Sequence, residues 1–262
     1  MTISNVFAFD IETVPDVEFG RRLHGLEGLS DKQVGYVMQT RQREQTGSEF
    51  LSLEQQRVVA ISVAMRTREG FKAWSLGDAS STESELVSRF FDGIGRYSPT
   101  LVSWNGSGFD LPVLNYRAMR HRVQAHRYWE TGDEDQSFRW NNYLGRFHWR
   151  HIDLMDVLAG YQGRGRVGLD RMAQLLGLPG KLGMSGEGVW DAHLEGRTDD
   201  IRNYCETDVI NTYLIYLRFE LMRGRLTPEE HDRECGIVRA WLEGAGRPHL
   251  AEFLAAWPAG PA

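Results

Sequence analysis

One carboxylate constrains this chain more than any other feature. Residues 199–223 read as the longest helix of the sequence, and at about 100° per residue Ile201, Tyr204, Cys205, Thr212, Ile215 and Phe219 fall on one stripe. Asp208 sits near the middle of that stripe, while Arg202, Glu206 and Arg218 project elsewhere. An ionised carboxylate on a core-facing stripe is costly unless it is paired or bound to a metal. No basic residue shares the stripe, so the fold must bring up a distant base or hold a cation. Tyr204 lies one turn earlier on the same face, where its hydroxyl reaches a water at such a cation; without Asp208 it would read as a half-buried core tyrosine.

Three further acids fit the same demand. Val6 to Ile11 is apolar and partly β-branched, closed by Glu12-Thr13-Val14-Pro15, and predicts a short buried strand. Asp10 and Glu12 are two apart at its end, so their side chains share a face; two solvated acids at a strand end is the plain alternative. Asp110 follows a strand and opens a helix whose first turn contains Pro112, which by itself fits an N-cap as well as a functional acid. Carboxylate oxygens suit hard cations such as Mg²⁺ or Mn²⁺. Two such ions about 3.5–4 Å apart serve an in-line phosphodiester displacement, activating water and stabilising the leaving oxygen. Zinc-type His/Cys spacing, a Gly-Lys-Ser/Thr phosphate loop and Gly-x-Ser-x-Gly are all missing, and GRGRVG at 163–168 has no strand before it and reads as a flexible loop.

The rest of the chain predicts the frame. Residues 57–66 and 71–76 read as two strands joined by a turn at Glu69-Gly70, and 101–104 as another strand. Thr82-x-x-Glu85 is a capping-box pattern before an amphipathic helix carrying Leu86, Phe90, Ile94 and Tyr97. Ile152 to Leu158 fits a strand end or a helix start, and 169–176 a short helix ended by Gly177. Residues 16–55, with helices near 17–26 and 31–44, look like an insertion; 228–243 and 248–257 read as C-terminal helices. Strands, then strand–helix alternation, then helices predict an α/β sheet flanked by helices. The expected division is 1–225 for the main domain and 226–262 for a helical extension.

A net charge of −6 argues against sequence-blind gripping of a long duplex but leaves room for a local basic groove aided by bound cations. With two cysteines, no basic-then-apolar leader and no apolar run of bilayer length, a reducing cytoplasm is the expected setting, without disulfides or membrane spans.

Taken in order, FDIET, then Asn105-x-x-x-Phe109-Asp110, then Tyr204-Cys-Glu-Thr-Asp208 resemble the three exonuclease motifs of the DEDD superfamily, in its tyrosine subclass; the histidine subclass would need His where Asn203 stands. The phrases FDIETVPD, LVSWNGSGFDLPVLNYRAM, HIDLMDVL, LLGLPGK and YCETDVINTYLIYLR, over about residues 6–224, are similar to bacterial predicted 3′→5′ exonucleases related to the proofreading domain of family B DNA polymerases. The resemblance implies a ribonuclease-H-like fold and hydrolysis from the 3′ end of DNA, single strands above all. Asp10, Glu12 and Asp208 would hold the water-activating metal, Asp10 would bridge to a second, and Asp110 would hold the site directly or through water. Tyr204 would orient the water, since a phenol of pKa about 10 is a poor base. Asn105 and Phe109 would touch the terminal sugar or base, Thr13 would offer a backbone contact, and Lys181 a phosphate contact unless it is a solvated loop lysine.

Two basic and aromatic groups are candidate strand contacts: Arg117, Arg120, His121, Arg122, His126 and Arg127, and then Arg139, Trp140, Tyr143, Arg146, Phe147, Trp149 and Arg150. The plain readings are a solvated helix face and an inward-packed loop. RNA in place of DNA, a non-catalytic nucleic-acid-binding module, and a small-molecule phosphodiesterase stay open as alternatives; protein partners are not readable.

Overall fold

The computed structural model describes residues 5–258; the outermost ends of the two predicted segments, 1–4 and 259–262, lie outside the described residues. Five strands form one mixed sheet, β1 (Val6–Pro15), β2 (Gln56–Thr67), β3 (Gly70–Ser75), β4 (Thr100–Ser103) and β5 (His151–Asp153), in the order β3-β2-β1-β4-β5. β1, β2 and β3 pair antiparallel, while β4 and β5 continue parallel to β1. The sheet is flanked by helices, and the chain adopts the ribonuclease-H-like α/β architecture expected of it.

Alternation along β1 divides the core. Phe7, Phe9 and Ile11 face a layer made by α3 (Glu83–Tyr97) and α4 (Asp110–His121), through Phe90, Ile94, Leu111 and Leu114. Val6 and Ala8 face the opposite layer, centred on α8 (Thr198–Met222). Asp10 and Glu12 extend the Val6–Ala8 row, so the strand delivers both acids to the α8 side. The β1–β2 register shifts between Glu12 and Thr13, just past the second acid.

α8 is not amphipathic. The sheet covers one side, and α6 (Leu169–Leu175), α9 (Pro228–Gly244) and α10 (Pro248–Ala256) cover the other, so every residue from Tyr204 to Leu217 is buried. Glu206, read as lying off the Asp208 stripe, therefore falls on a side of α8 that is buried too. Glu206 is buried, accepts hydrogen bonds from Ser75 N and Oγ at 2.8 and 3.0 Å, and pairs with Arg247 and His249 at 2.7 and 2.9 Å. A buried carboxylate with this many donors is compensated, and two of them come from the C-terminal helical segment.

Residues 16–55 hold α1 (Val17–His24) and α2 (Asp31–Thr46), whose small core of Val17, Val34, Met38 and Leu51 leans on Trp190 of α7 (Val189–Leu194). α7 went unpredicted. The β2–β3 turn is Arg68-Glu69, one residue earlier than expected, with Gly70 already in the strand. Only half of the predicted capping box forms: Thr82 accepts from Glu85 N, while the Glu85 side chain pairs with Arg89. Residues 152–158 satisfy both expectations, since β5 runs directly into α5 (Leu154–Leu158).

His151 joins β5 to the end of β4, its Nε2 2.8 Å from Ser103 Oγ. Burial pushes its pKa down to about 4, with the Asp153 charge pulling the other way. A neutral histidine in the fold that protonates near 6.5 once unfolded contributes stability fully present above that value and lost as pH falls toward 4. The loss reaches about 3 kcal/mol. Urea unfolding of His151→Gln should show a flatter acid limb than the parent between pH 6.5 and 4; superimposable limbs would count against this origin.

Candidate functional site

The site forms where the end of β1 meets the N-terminal half of α8. Ligand atoms of Asp10, Glu12 and Cys205 lie within 4.8 Å of one another. The Cys205 thiol approaches Asp10 twice, 3.4 Å from its carbonyl oxygen and 3.5 Å from Oδ2. Sequence reading passed over Cys205, because a cysteine on an apolar stripe reads as core; only its place three residues before Asp208 signals otherwise.

Asp110 arrives from α4. The N-cap position belongs to Phe109, whose side chain makes no cap, and Asp110 is the first helical residue. The capping alternative is thus set aside: Asp110 Oδ1 instead accepts from the backbone N–H of Ile11, between the two β1 acids, at 3.2 Å. Its place depends on the preceding loop. Asn105 N and Ser107 N both donate to the buried Asp153 carboxylate at 2.9 Å, and Asn105 itself is left-handed, with φ 68°. A Cβ on Gly106 would lie 2.2 Å from Ser103 Oγ, so the loop can wind this closely only with glycine there.

Asp208 acts on this group through its charge, which raises both Asp10 and Glu12. Tyr204 hydrogen-bonds its carboxylate, while Oδ1 is buried without a partner. Of the two alternatives left open, a distant base does come up: Lys181, whose Nζ stands 5.5 Å from the centre of the Tyr204 ring and whose charge favours ionised Glu12 and Asp208. Backbone clamps fix the approach to that lysine: Asn211 of α8 bonds both N and O of Gly180, and Lys181 N donates to Asp170. Gly180 has φ 67°, and a Cβ there would lie 2.5 Å from Asp170 Oδ1.

The electrostatics show what one lysine leaves undone. Burial, then the charges of Glu12, Asp110 and Asp208, raise Asp10 well above the usual carboxylate range. Burial and the Asp208 charge do the same to Glu12. Burial lifts Asp110 to about 7 and Asp208 to about 6. Burial and the same carboxylates push Tyr204 above its ordinary value, so its hydroxyl stays protonated and donates. Three buried acids and the half-buried Asp10, sharing one ammonium among the described residues, are undercompensated, and added positive charge would relieve them.

Beside Glu12 opens a groove of about 850 Å³ lined by Thr13, Phe109 and Lys181, and walled by Phe50, Leu51 and Trp190. Three of the four predicted substrate contacts therefore share one groove with an acid of the cluster. The exception is Asn105, which does not line it. Thr13 Oγ1 donates to Gln56 Oε1 at 2.8 Å.

The basic groups fit neither plain reading throughout, since the helix face holds a buried ion pair and the loop packs only part of its aromatics inward. Arg117 is buried, paired with Asp16 at 2.7 Å and Glu83 at 2.5 Å, and is corrected from a strand contact to a structural ion pair. Arg120 and His121 join the same network through Glu18 and Glu83. Arg127 and Arg150 lie over the buried Phe138 ring, and Arg146 pairs with Asp156. Tyr143 is buried, whereas Trp140 and Phe147 stay exposed, away from the groove beside Glu12. Among the described residues no helix is long and apolar enough to cross a membrane.

A DNA polymerase of Archaeoglobus fulgidus is 24% identical over 171 residues, covering 64% of this chain and 21% of the polymerase, so the chain spans about a fifth of that relative's length. The family described as a predicted 3′-5′ exonuclease related to the exonuclease domain of PolB matches residues 48–257. That segment includes Asp110, Tyr204 and Asp208, begins downstream of Asp10 and Glu12, and continues past residue 225 through α9 and α10. With most of its length matched, the chain belongs to this family of predicted 3′→5′ exonucleases related to the exonuclease domain of PolB.

Proposed function

We propose that this protein is a metal-dependent 3′→5′ exonuclease that hydrolyses DNA from its 3′ end by a two-metal-ion mechanism. One observation carries the reading: carboxylates from β1, α4 and α8, with Glu12, Asp110 and Asp208 buried and Asp10 partly so, raise one another's pKa with a single ammonium set against them among the described residues, and a buried oxygen of Asp208 has no partner. Hard, all-oxygen donors of this kind fit Mg²⁺ or Mn²⁺. When bound, two such ions would supply an activated water and charge stabilisation at the leaving oxygen.

Asp10, Glu12 and Asp208 would hold one ion, Asp10 and Asp110 the other. Tyr204 keeps its proton, orients the Asp208 carboxylate and positions the attacking water without serving as a base. Lys181 sets a positive charge at the groove wall for a phosphate oxygen. Phe109 and Thr13 offer a ring and a polar contact to the terminal nucleotide, and Asn105 supports the loop that delivers both Phe109 and Asp110. The similarity to part of a DNA polymerase favours DNA over RNA.

Single strands of DNA and of RNA labelled at either end, incubated with Mg²⁺, Mn²⁺ or EDTA, test the reading. Stepwise shortening from the 3′ end is expected with either metal and none with EDTA. Metal-independent or endonucleolytic cleavage would refute it, and the RNA arm decides between the two acids because only RNA offers a 2′-hydroxyl.

A further inference from the structure

The groove beside Glu12 is poor in positive charge. Lys181 is its one basic residue among those described, against Glu12, Glu49 and Glu187. A channel that tracks a strand by its phosphates needs a row of cations. What this groove offers instead is aromatic. Phe50 stands 61% exposed beside Phe109, with ring centroids 5.4 Å apart and planes tilted by 54°. Its mount is firm, since Leu51 is buried in the α1–α2 core, Gln56 Nε2 donates to Leu51 O at 3.0 Å, and Phe50 N donates to Ser48 Oγ at 3.1 Å. An isolated exposed phenylalanine needs no explanation; one held rigidly at the groove wall, against a second ring adjoining the acid cluster, does.

We propose that Phe50, supplied by the segment between α2 and β2, stacks on the terminal base next to Phe109, and that the protein grips its strand by this stacking more than by phosphate neutralisation. The inference rests on the exonuclease reading and adds a residue and a mode of binding to it. Three consequences are measurable by fluorescence anisotropy with a 5′-labelled oligodeoxythymidine of about eight nucleotides, using Ca²⁺ to hold the strand uncut. Phe50→Ala should weaken binding about tenfold, the worth of one base–aromatic stack, while Phe50→Trp restores it and the melting temperature stays put. Against a strand whose terminal nucleotide lacks its base, Phe50→Ala should change nothing, an outcome that a merely structural role would not give. Raising KCl from about 50 to about 200 mM should weaken wild-type binding about threefold, as for one phosphate contact, where three contacts would give more than about fifteenfold.

Equal losses on normal and abasic ends, or the steeper salt response, would overturn the proposal. The same protein samples are assayed for shortening in Mg²⁺. Shortening that is indifferent to Phe50 sinks this inference alone; no shortening by the wild type removes the exonuclease reading and this inference with it.

Discussion

Asp208→Asn is expected to lose 3′-end shortening by at least about 1,000-fold, equivalent to about 4 kcal/mol of transition-state stabilisation, and at the same time to make the metal-free protein more stable. The two effects share a cause. Without a cation, Asp208 holds its charge in a place that favours the neutral form, its pKa raised to about 6 by burial. A folded-state pKa above the ordinary value means that metal-free stability falls as pH rises through the interval between them, and the charged form is penalised at neutral pH. Asparagine removes the charge, keeps an oxygen for the Tyr204 hydroxyl, and relieves Asp10 and Glu12. The gain is about 1–3 kcal/mol, or about 3–10 °C in melting temperature in EDTA. Mg²⁺ or Mn²⁺ should then stabilise the wild type strongly and the variant little. A variant that melts lower than the wild type in EDTA, or that still trims DNA at the parental rate, would contradict the role given to this acid.

Arg117→Ala is expected to carry a large stability cost. The guanidinium lies between Asp16 and Glu83, with all three side chains nearly inaccessible to water, and it links α4 to the start of α1 and α3. Removing it leaves the buried Asp16 and Glu83 with only their outer partners Arg120 and His121. Breaking a buried ion pair from one side costs about 3–5 kcal/mol, so the melting temperature should drop by about 10 °C or more. Strand binding at a temperature where the variant is still folded should be nearly unchanged, because Arg117 does not line the groove. A drop below about 1 kcal/mol together with lost strand binding would restore the substrate role that the sequence had suggested for it.

Arg117 also shows what was legible in the sequence and what was not. Asp10 and Glu12 could be placed on one face because strand periodicity acts over two residues, and Asp208 stood out because an acid among apolar neighbours on a helix violates a local rule. The same helical projection put Glu206 off the stripe but could not show that its side of the helix is buried as well. A stripe argument assumes one buried side, and α8 is covered all round by the sheet and by helices up to fifty residues downstream. The partners of Arg117, Asp16 and Glu83, and the Lys181 ammonium set against Asp208, are likewise long-range pairings that carry no local spacing. α7 escaped because it is a short helix after a glycine-rich stretch, and Phe50 because a lone aromatic in a polar segment announces nothing until the fold sets it beside Phe109.

The bond between Glu206 and the pair Arg247 and His249 has a consequence for anyone who would transplant this scaffold. Glu206 and Asp208 are two positions apart, and the cationic partners that help Glu206 sit in the interior come from the start of the last helix of the described chain. A fusion or minimal fragment trimmed at residue 225 would therefore strip an interior acid of its counterions one half-turn from the chemistry, and should carry the chain through Trp257 instead.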